Sequence, residues 1–279
     1  MTGLVNAGIL YVVATPIGHL GDLSRRAEQV LKKVQIVAAE DTRRTRVLLD
    51  HIAHRAPELV SMHEHNEQTM LERLLANLQA GADVAVVSDA GTPLVNDPGF
   101  GLVQAAHAAG IKTVPIPGPC AITAALSVCP LPCQPFRYVG FLPAKGNARR
   151  QQLDAYLASA DALVFLESPR RICATLSDLA ALTERRILLA RELTKQYETL
   201  YVGSAAELLE QLGENPKGEF TCVVESGAAA TVSYDQQRVL TALLKELPPT
   251  KAAKIAASIC NATKSDMYDL ALTLSDKAG

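Results

Sequence analysis

Tryptophan is absent from the 279 residues, and tyrosine and phenylalanine number only 7 and 5. A chain so poor in rings is a weak candidate for a module that stacks single-stranded bases on exposed aromatics. Neither sign of charge dominates: 27 Lys and Arg stand against 29 Asp and Glu, a net charge of −2. No bulk positive field is available to hold nucleic acid, so any such contact needs a local basic patch. No uninterrupted run of about 18 apolar residues occurs, which excludes a membrane-spanning helix. The first ten residues carry neither a basic segment nor an extended apolar core, so no signal peptide is expected and the expected location is cytoplasmic. The six cysteines (Cys120, Cys129, Cys133, Cys173, Cys222, Cys260) form no CxxC pair. They read as small buried hydrophobes rather than disulfides or ligands. His63-Glu64-His65-Asn66-Glu67 does not suit a metal either. Its two histidines face opposite sides of a strand, or sit too far apart on a helix to ligate together. No metal is expected, and His65-Asn66-Glu67 is kept as a segment that could face substrate.

What is present is an ordinary globular mixture, 48% hydrophobic and 20% charged, long enough for about two domains. Short apolar, β-branched runs at 9–14, 36–39, 84–87 and 113–116 alternate with helical periods at 22–33, 69–80 and 100–109. Such alternation predicts a largely parallel sheet covered on both faces. The proline-rich PIPGP at 115–119 reads as a domain junction, because three prolines do not fit inside regular structure. Beyond it, strands are expected near 138–141, 163–167, 187–190 and 221–225, with a helix from 121. A small-residue linker at 226–231 leads into a helical tail, in which 251–259 and 265–274 form a helix–turn–helix-like pair. The domains expected are 1–117, 118–231 and 232–279.

In a parallel α/β sheet, ligands gather outside the carboxyl ends of the strands. The turns there are unusual. ATPIG (14–18) is small and rigid and lets a ligand approach backbone amides, yet it is neither GxGxxG nor a P-loop. SDAGTP (88–93) sets one carboxylate in a turn without bulk, which serves a ligand or simply caps its own loop. Glu40-Asp41-Thr42-Arg43-Arg44 ends a buried strand with two acids and two cations. It reads as proton transfer and substrate handling, or as a helix N-cap by Asp41 or Thr42 with solvated arginines. Arginine doublets recur at 25–26, 43–44, 149–150, 170–171 and 185–186, and arginine suits phosphate. KGNARR (145–150) in particular reads as a flexible, phosphate-contacting lid.

Taken in order, LYVVATPIG (10–18), AAEDTRRT (38–45), VSDAGTPLVNDPG (87–99), PIPGPCAITAAL (115–126), GFLPAKGNARR (140–150), FLESPRRI (165–172), LARELTKQYET (189–199) and KGEF (217–220) resemble the tetrapyrrole-methylase superfamily of S-adenosylmethionine-dependent methyltransferases. The closer resemblance is to its branch acting on ribosomal RNA. At His19 that pattern carries Asn. The resemblance implies two α/β domains of the tetrapyrrole-methylase type with a small helical C-terminal domain. It further implies a homodimer and S-adenosyl-L-methionine bent into the cleft between the two α/β domains. Cofactor contacts carry over to Ile17, Ser88, Asp89, Ala90, Pro93, Cys120, Ala121, Glu167 and Leu193. The implied activity is methylation of a ribose 2′-hydroxyl on a cytidine in the decoding centre of small-subunit (16S) ribosomal RNA, with the 30S subunit as partner. Glu40 or Asp41 is the candidate for receiving the hydroxyl proton and Arg43 for holding phosphate, with Glu192 and Lys195 as second choices. Two other readings stay open: methylation of a tetrapyrrole carbon, and a non-catalytic ribosome- or RNA-binding protein. For the terminal helix pair, packing is favoured over RNA contact through Lys251 and Lys254, since it carries few basic residues.

Overall fold

The computed structural model describes residues 7–54, 58–63, 66–213, 215–227, 236–260 and 262–276. His65, residues 228–231 of the expected linker and the expected boundary at 231–232 lie outside these. Two five-stranded sheets carry most of the chain. The first is built from β1 (Leu10–Val13), β2 (Ile36–Ala39), β3 (Glu58–Ser61), β4 (Val84–Val87) and β5 (Thr113–Ile116). Helices α1 (Arg25–Leu31), α2 (Thr42–His51), α3 (Glu67–Gln79) and α4 (Phe100–Ala108) connect them. The strand order is β3-β2-β4-β1-β5, all parallel.

Alternation along the strands builds two cores, one on each face. Tyr11, Val13, Val37, Ala39, Ala85 and Val87 pack with α1 and α2. Leu10, Ile36, Ala38, Val84 and Val86 pack with α3 and α4. Successive side chains of a strand point to opposite faces, so a continuous apolar run is what a sheet covered on both sides requires. The strand at 58–61 went unseen in the sequence, because an edge strand with one buried residue, Val60, lacks the apolar run. Pro115 lies inside β5 rather than in a linker. It is tolerated because β5 is an edge strand, where a missing N–H leaves no ladder partner without a donor.

After α5 (Ala121–Ser127), the second sheet takes β6 (Phe136–Phe141), β7 (Ala162–Glu167), β8 (Ile187–Arg191), β9 (Thr199–Gly203) and β10 (Phe220–Val224). Between them lie α6 (Gly146–Leu157), α7 (Ile172–Leu182) and α8 (Ala205–Leu212). Its order is β6-β7-β10-β8-β9, and only β6 and β7 run parallel. The lid expected at 145–150 is the first turn of α6. Arg149 is buried there, its guanidinium 2.8 Å from Asp178 of α7, and Arg150 meets the same carboxylate at 2.9 Å. A buried guanidinium requires such a partner, and pairing turns this basic stretch into a packing element.

Contacts divide the chain into two compact units. Met1–Leu157 with Asp161–Ser226 holds both sheets, and Ala158–Ala160 with Gly227–Gly279 forms the second. The second contains α9 (Gln236–Leu244), α10 (Pro249–Cys260) and α11 (Lys264–Asp276) around Leu240, Ala252, Ala253, Ala256, Met267 and Ala271. The small alanines let α10 and α11 approach closely. Among the described residues no helix is long and apolar enough to cross a membrane.

Candidate active site

The loops following β1 and β4 leave adjacent parallel strands and are pinned together at once. Thr15 N–H donates to the Gly91 carbonyl at 2.9 Å, and Gly91 N–H returns a bond to Thr15 at 3.1 Å. Beneath this bridge the Thr15 hydroxyl donates to the Ser88 carbonyl at 3.1 Å, and the Ser88 hydroxyl to the Gly91 carbonyl at 3.2 Å. Thr92 Oγ1 donates to Pro119 at 3.2 Å, which adds the loop after β5. Gly91 sits at φ +86°, where an L side chain is strained, and an added Cβ there would come within 3.3 Å of Ile17.

A crevice of about 380 Å³ opens between these loops and the second sheet. Ile17, Ala90, Cys120, Ala121, Tyr138 and Leu193 are among its lining residues, with Glu167, Glu192, Lys195 and Glu219 supplying its charges. A smaller cavity of about 200 Å³ is lined by Thr15, Ser88, Asp89 and, from α2, Arg44, Thr45 and Val47. Ile17, Ala90, Lys195 and Glu219 belong to both walls.

Of the residues expected to meet a cofactor, Ile17, Ala90, Cys120, Ala121, Glu167 and Leu193 therefore line the larger crevice. Ser88 and Asp89 line the smaller cavity, and Pro93 is buried and lines neither. The Glu167 carboxylate is already saturated by protein donors. It accepts from Ser168 N–H at 2.9 Å, from Thr175 Oγ1 at 2.8 Å and from a terminal nitrogen of Arg171 at 3.2 Å. Arg171 also donates to the Leu142 carbonyl, so this buried group ties the corner after β7 to the end of β6.

Glu40, Asp41 and Arg43 line neither cavity. Asp41 caps α2 by accepting from Arg43 N–H at 2.9 Å, and Arg43 Nε and a terminal nitrogen fork onto it at 3.0 and 2.7 Å. The Arg43 side-chain bonds, helped by its backbone N–H, hold the Asp41 carboxyl down at about 2. A carboxylate that acidic is a weak proton acceptor near neutrality. Arg43 itself is 89% exposed. The backbone N–H of Asp41 donates to Asp89 Oδ1 at 2.9 Å, and Arg44 Nε lies 3.5 Å from Asp89 Oδ2. Asp89 is thus the strand-end acid that this segment orients toward the smaller cavity.

The second sheet contributes a clamp. Glu192 (φ 52°) and Thr194 (φ 65°) take left-handed conformations that fold residues 192–198 over the loop after β1. Thr194 Oγ1 accepts from His19 N–H at 3.1 Å. Lys195 Nζ is held between Glu192 Oε1 at 3.0 Å and Glu219 Oε2 at 2.9 Å. Burial disfavours the Lys195 charge, but those two carboxylates outweigh it and raise its pKa.

Sequence reasoning did not single out Arg44, Asp97, Tyr138 or Glu219. Asp97 is half-buried, and burial, followed by the charges of Glu40 and Asp89, pushes its carboxyl up to about 6 against a hydrogen bond from Ser88. Burial and the nearby Cys120 and Asp97 raise Tyr138 to about 12, and its hydroxyl donates to Asn96 at 2.6 Å. A signal existed for three of them, since Arg44, Asp97 and Glu219 lie within the AAEDTRRT, VNDPG and KGEF segments quoted above.

Comparison with known proteins completes the picture. Residues 9–209 match the family described as Tetrapyrrole (Corrin/Porphyrin) Methylases, and residues 230–275 match an RsmI C-terminal HTH domain. A ribosomal RNA small subunit methyltransferase I from Xylella fastidiosa strain Temecula1 is 48% identical over 94% of this chain and 98% of its own length. The protein of that name from Escherichia coli O157:H7 is 47% identical over 95% of both. Among solved structures, a uroporphyrin-III C-methyl transferase from Thermus thermophilus, complexed with S-adenyl homocysteine, covers 78% of this chain and 98% of its own at 19% identity. Its TM-score of 0.56 shows the shared fold. The chain therefore belongs to the tetrapyrrole methylases, and within them to the family of the ribosomal RNA small subunit methyltransferases I.

Proposed function

We propose that the chain methylates the ribose 2′-hydroxyl of a cytidine in the decoding centre of small-subunit ribosomal RNA, using S-adenosylmethionine. The observation that carries this reading is the crevice at the carboxyl ends of β1, β4 and β5, in a chain so similar to rRNA methyltransferases. The crevice suits the cofactor because its wall is made small: Ala90, Gly91, Ala121 and Ala190 line it, and a Cβ on Gly91 would narrow it against Ile17. Its volume lies within the ordinary range of small-molecule sites, about 300–1,000 Å³. Ile17, Ala90, Cys120, Ala121 and Leu193 would hold the cofactor, with Ser88 and Asp89 supporting the wall from the neighbouring cavity.

Held by these residues, the cofactor would supply a methyl group activated by its sulfonium for transfer to the acceptor hydroxyl, whose proton must be taken up. What the protein adds is chiefly position. The Thr15–Gly91 bridge fixes the two loops relative to each other, and the Glu192–Lys195–Glu219 clamp fixes the opposite side. Asp89 takes the proton-accepting place first read onto Glu40 and Asp41, and Asp41, with Arg43 pinned on it, acts one step removed by fixing Asp89. Residues 1–117 and 118–231 each supply one wall, and 232–279 is an accessory domain. We place the enzyme in the cytoplasm as a homodimer, a state supported by the exposed Phe100, Phe136 and Tyr197 and read out by light scattering.

The test is incubation with labelled cofactor and small ribosomal subunits lacking native methylation, followed by mapping of the modified nucleotide by mass spectrometry. Label on a cytidine ribose supports the reading, and absence of label from ribose overturns it. A salt titration separates the tetrapyrrole alternative, because RNA binding weakens steeply with ionic strength.

A further inference from the structure

We infer that the cavity of about 200 Å³ beside the cofactor crevice is the subsite for the acceptor nucleotide, with Arg44 placed to take an RNA backbone phosphate. The inference rests on the methyl-transfer reading above. Donor and acceptor must meet in line across a common boundary, and the two cavities share Ile17, Ala90, Lys195 and Glu219. Their chemistry divides accordingly. The larger crevice keeps a mostly apolar wall despite its charged rim of Glu167, Glu192, Lys195 and Glu219, while the smaller is about as polar as apolar and carries Thr15, Thr45, Ser88, Asp89 and Arg44. A volume below the usual span of drug-sized pockets, about 300–1,000 Å³, suits one ribose with its phosphate better than a macrocycle.

Of the doublet arginines, Arg44 is the one that lines either cavity, and it differs from several of the others in what it is left to do. Arg149, Arg171 and Arg185 are committed inside the second sheet's layers, to Asp178, to Glu167 and to the Leu157 carbonyl. Arg43 is spent on Asp41. Arg44 Nε lies 3.5 Å from Asp89 Oδ2, with a side chain 64% exposed, so it is aimed yet open. A guanidinium oriented at one edge presents its remaining donors to a phosphate in a fixed plane. Val47, one turn further along α2 and 60% exposed, lines the same cavity without taking part in the fold's core.

Two variants test this, Arg44→Ala and Val47→Glu, assayed on full-length enzyme with undermethylated small ribosomal subunits. Titration calorimetry with S-adenosylhomocysteine reports the cofactor site separately. We expect both variants to keep the wild-type melting temperature and to bind the cofactor product within twofold of wild type. Arg44→Ala should raise KM for subunits about tenfold, within the range of a charge-assisted contact, and reduce the salt slope of binding by about one. Val47→Glu, which puts a carboxylate where RNA should lie, should lower kcat/KM at least as much. Wild-type KM in both variants overturns the subsite while leaving the methyltransferase reading intact. A parallel loss of S-adenosylhomocysteine affinity also overturns it, by assigning the cavity to the cofactor. Failure of the wild-type enzyme to label subunits at all refutes the underlying reading instead.

Discussion

Gly18 lies where loops of the two sheets touch, and a single methyl group there tests whether the clamp matters. An added Cβ would meet Lys195 Cγ at 2.5 Å, Thr194 Oγ1 at 2.7 Å and the Leu193 carbonyl at 3.0 Å. Ordinary contact begins near 3.4 Å, so the loop must yield by roughly 1 Å, and one obstacle is backbone that has no rotamer to escape into. Forcing a methyl into such a space costs about 1–3 kcal/mol. Spent on opening the 193–195 loop, that energy weakens cofactor binding by roughly 5- to 150-fold. The assay is calorimetric titration of Gly18→Ala with S-adenosylhomocysteine, beside the unliganded melting temperature. Gly146→Ala serves as control, because its Cβ meets only Arg149 at 3.9 Å. A Gly18→Ala enzyme with wild-type affinity and wild-type melting temperature would refute the clamp, since the strain must then have been absorbed at no cost.

Three further outcomes follow from the same structure. Asp178→Ala strands the Arg149 guanidinium, only 7% exposed, and should cost about 3–5 kcal/mol in denaturant unfolding. Burial raises the Asp178 pKa, but the Arg150 and Arg149 bonds prevail and lower it; this stability is present above the usual carboxylate range and fades as pH falls through the depressed folded value. Thr175→Val removes the 2.8 Å donor to buried Glu167 while keeping shape, and should cost about 1.5–3 kcal/mol of stability. Asp97, raised to about 6, works the other way: the folded state prefers its protonated form, so its ionisation lowers stability as pH rises from about 4 to 6. Asp97→Asn should raise the melting temperature at pH 8 relative to wild type and change it little at pH 4, and equal shifts at both would contradict this.

Much of the architecture could be read in advance because its signals are local. Ile36–Ala39 and Val84–Val87 are apolar throughout, and central strands of a covered parallel sheet need nothing else. Gly81 and Gly110, both at positive φ, punctuate α3 and α4 as expected of helix ends. The strand Thr199–Gly203 escaped because it is an edge strand with only Gly203 fully buried. The site divides in the same manner. Turns whose small residues must leave room, such as those holding Ile17, Ala90 and Ala121, were legible. The partners of charged residues were not, because pairing depends on which helices pack together. Nothing in KGNARR states that Arg149 turns inward to an aspartate 29 residues away. Likewise EDTRR shows two acids and two cations but not that Asp41 consumes Arg43 and leaves Arg44 to Asp89.

Leu94, Asn96, Glu192 and Thr194 hold left-handed backbone without being glycine, and they sit in the two loops that frame the crevice from opposite sides. Each such residue carries a cost of order 1–3 kcal/mol that the surrounding bonds must sustain. Glycine at any of them would relax the backbone, but at Asn96, Glu192 and Thr194 it would also remove a side-chain bond that sets the loop's path. A search for thermostable variants should therefore accept glycine at Leu94, whose side chain makes no hydrogen bond, and keep the strained residues at the other three positions.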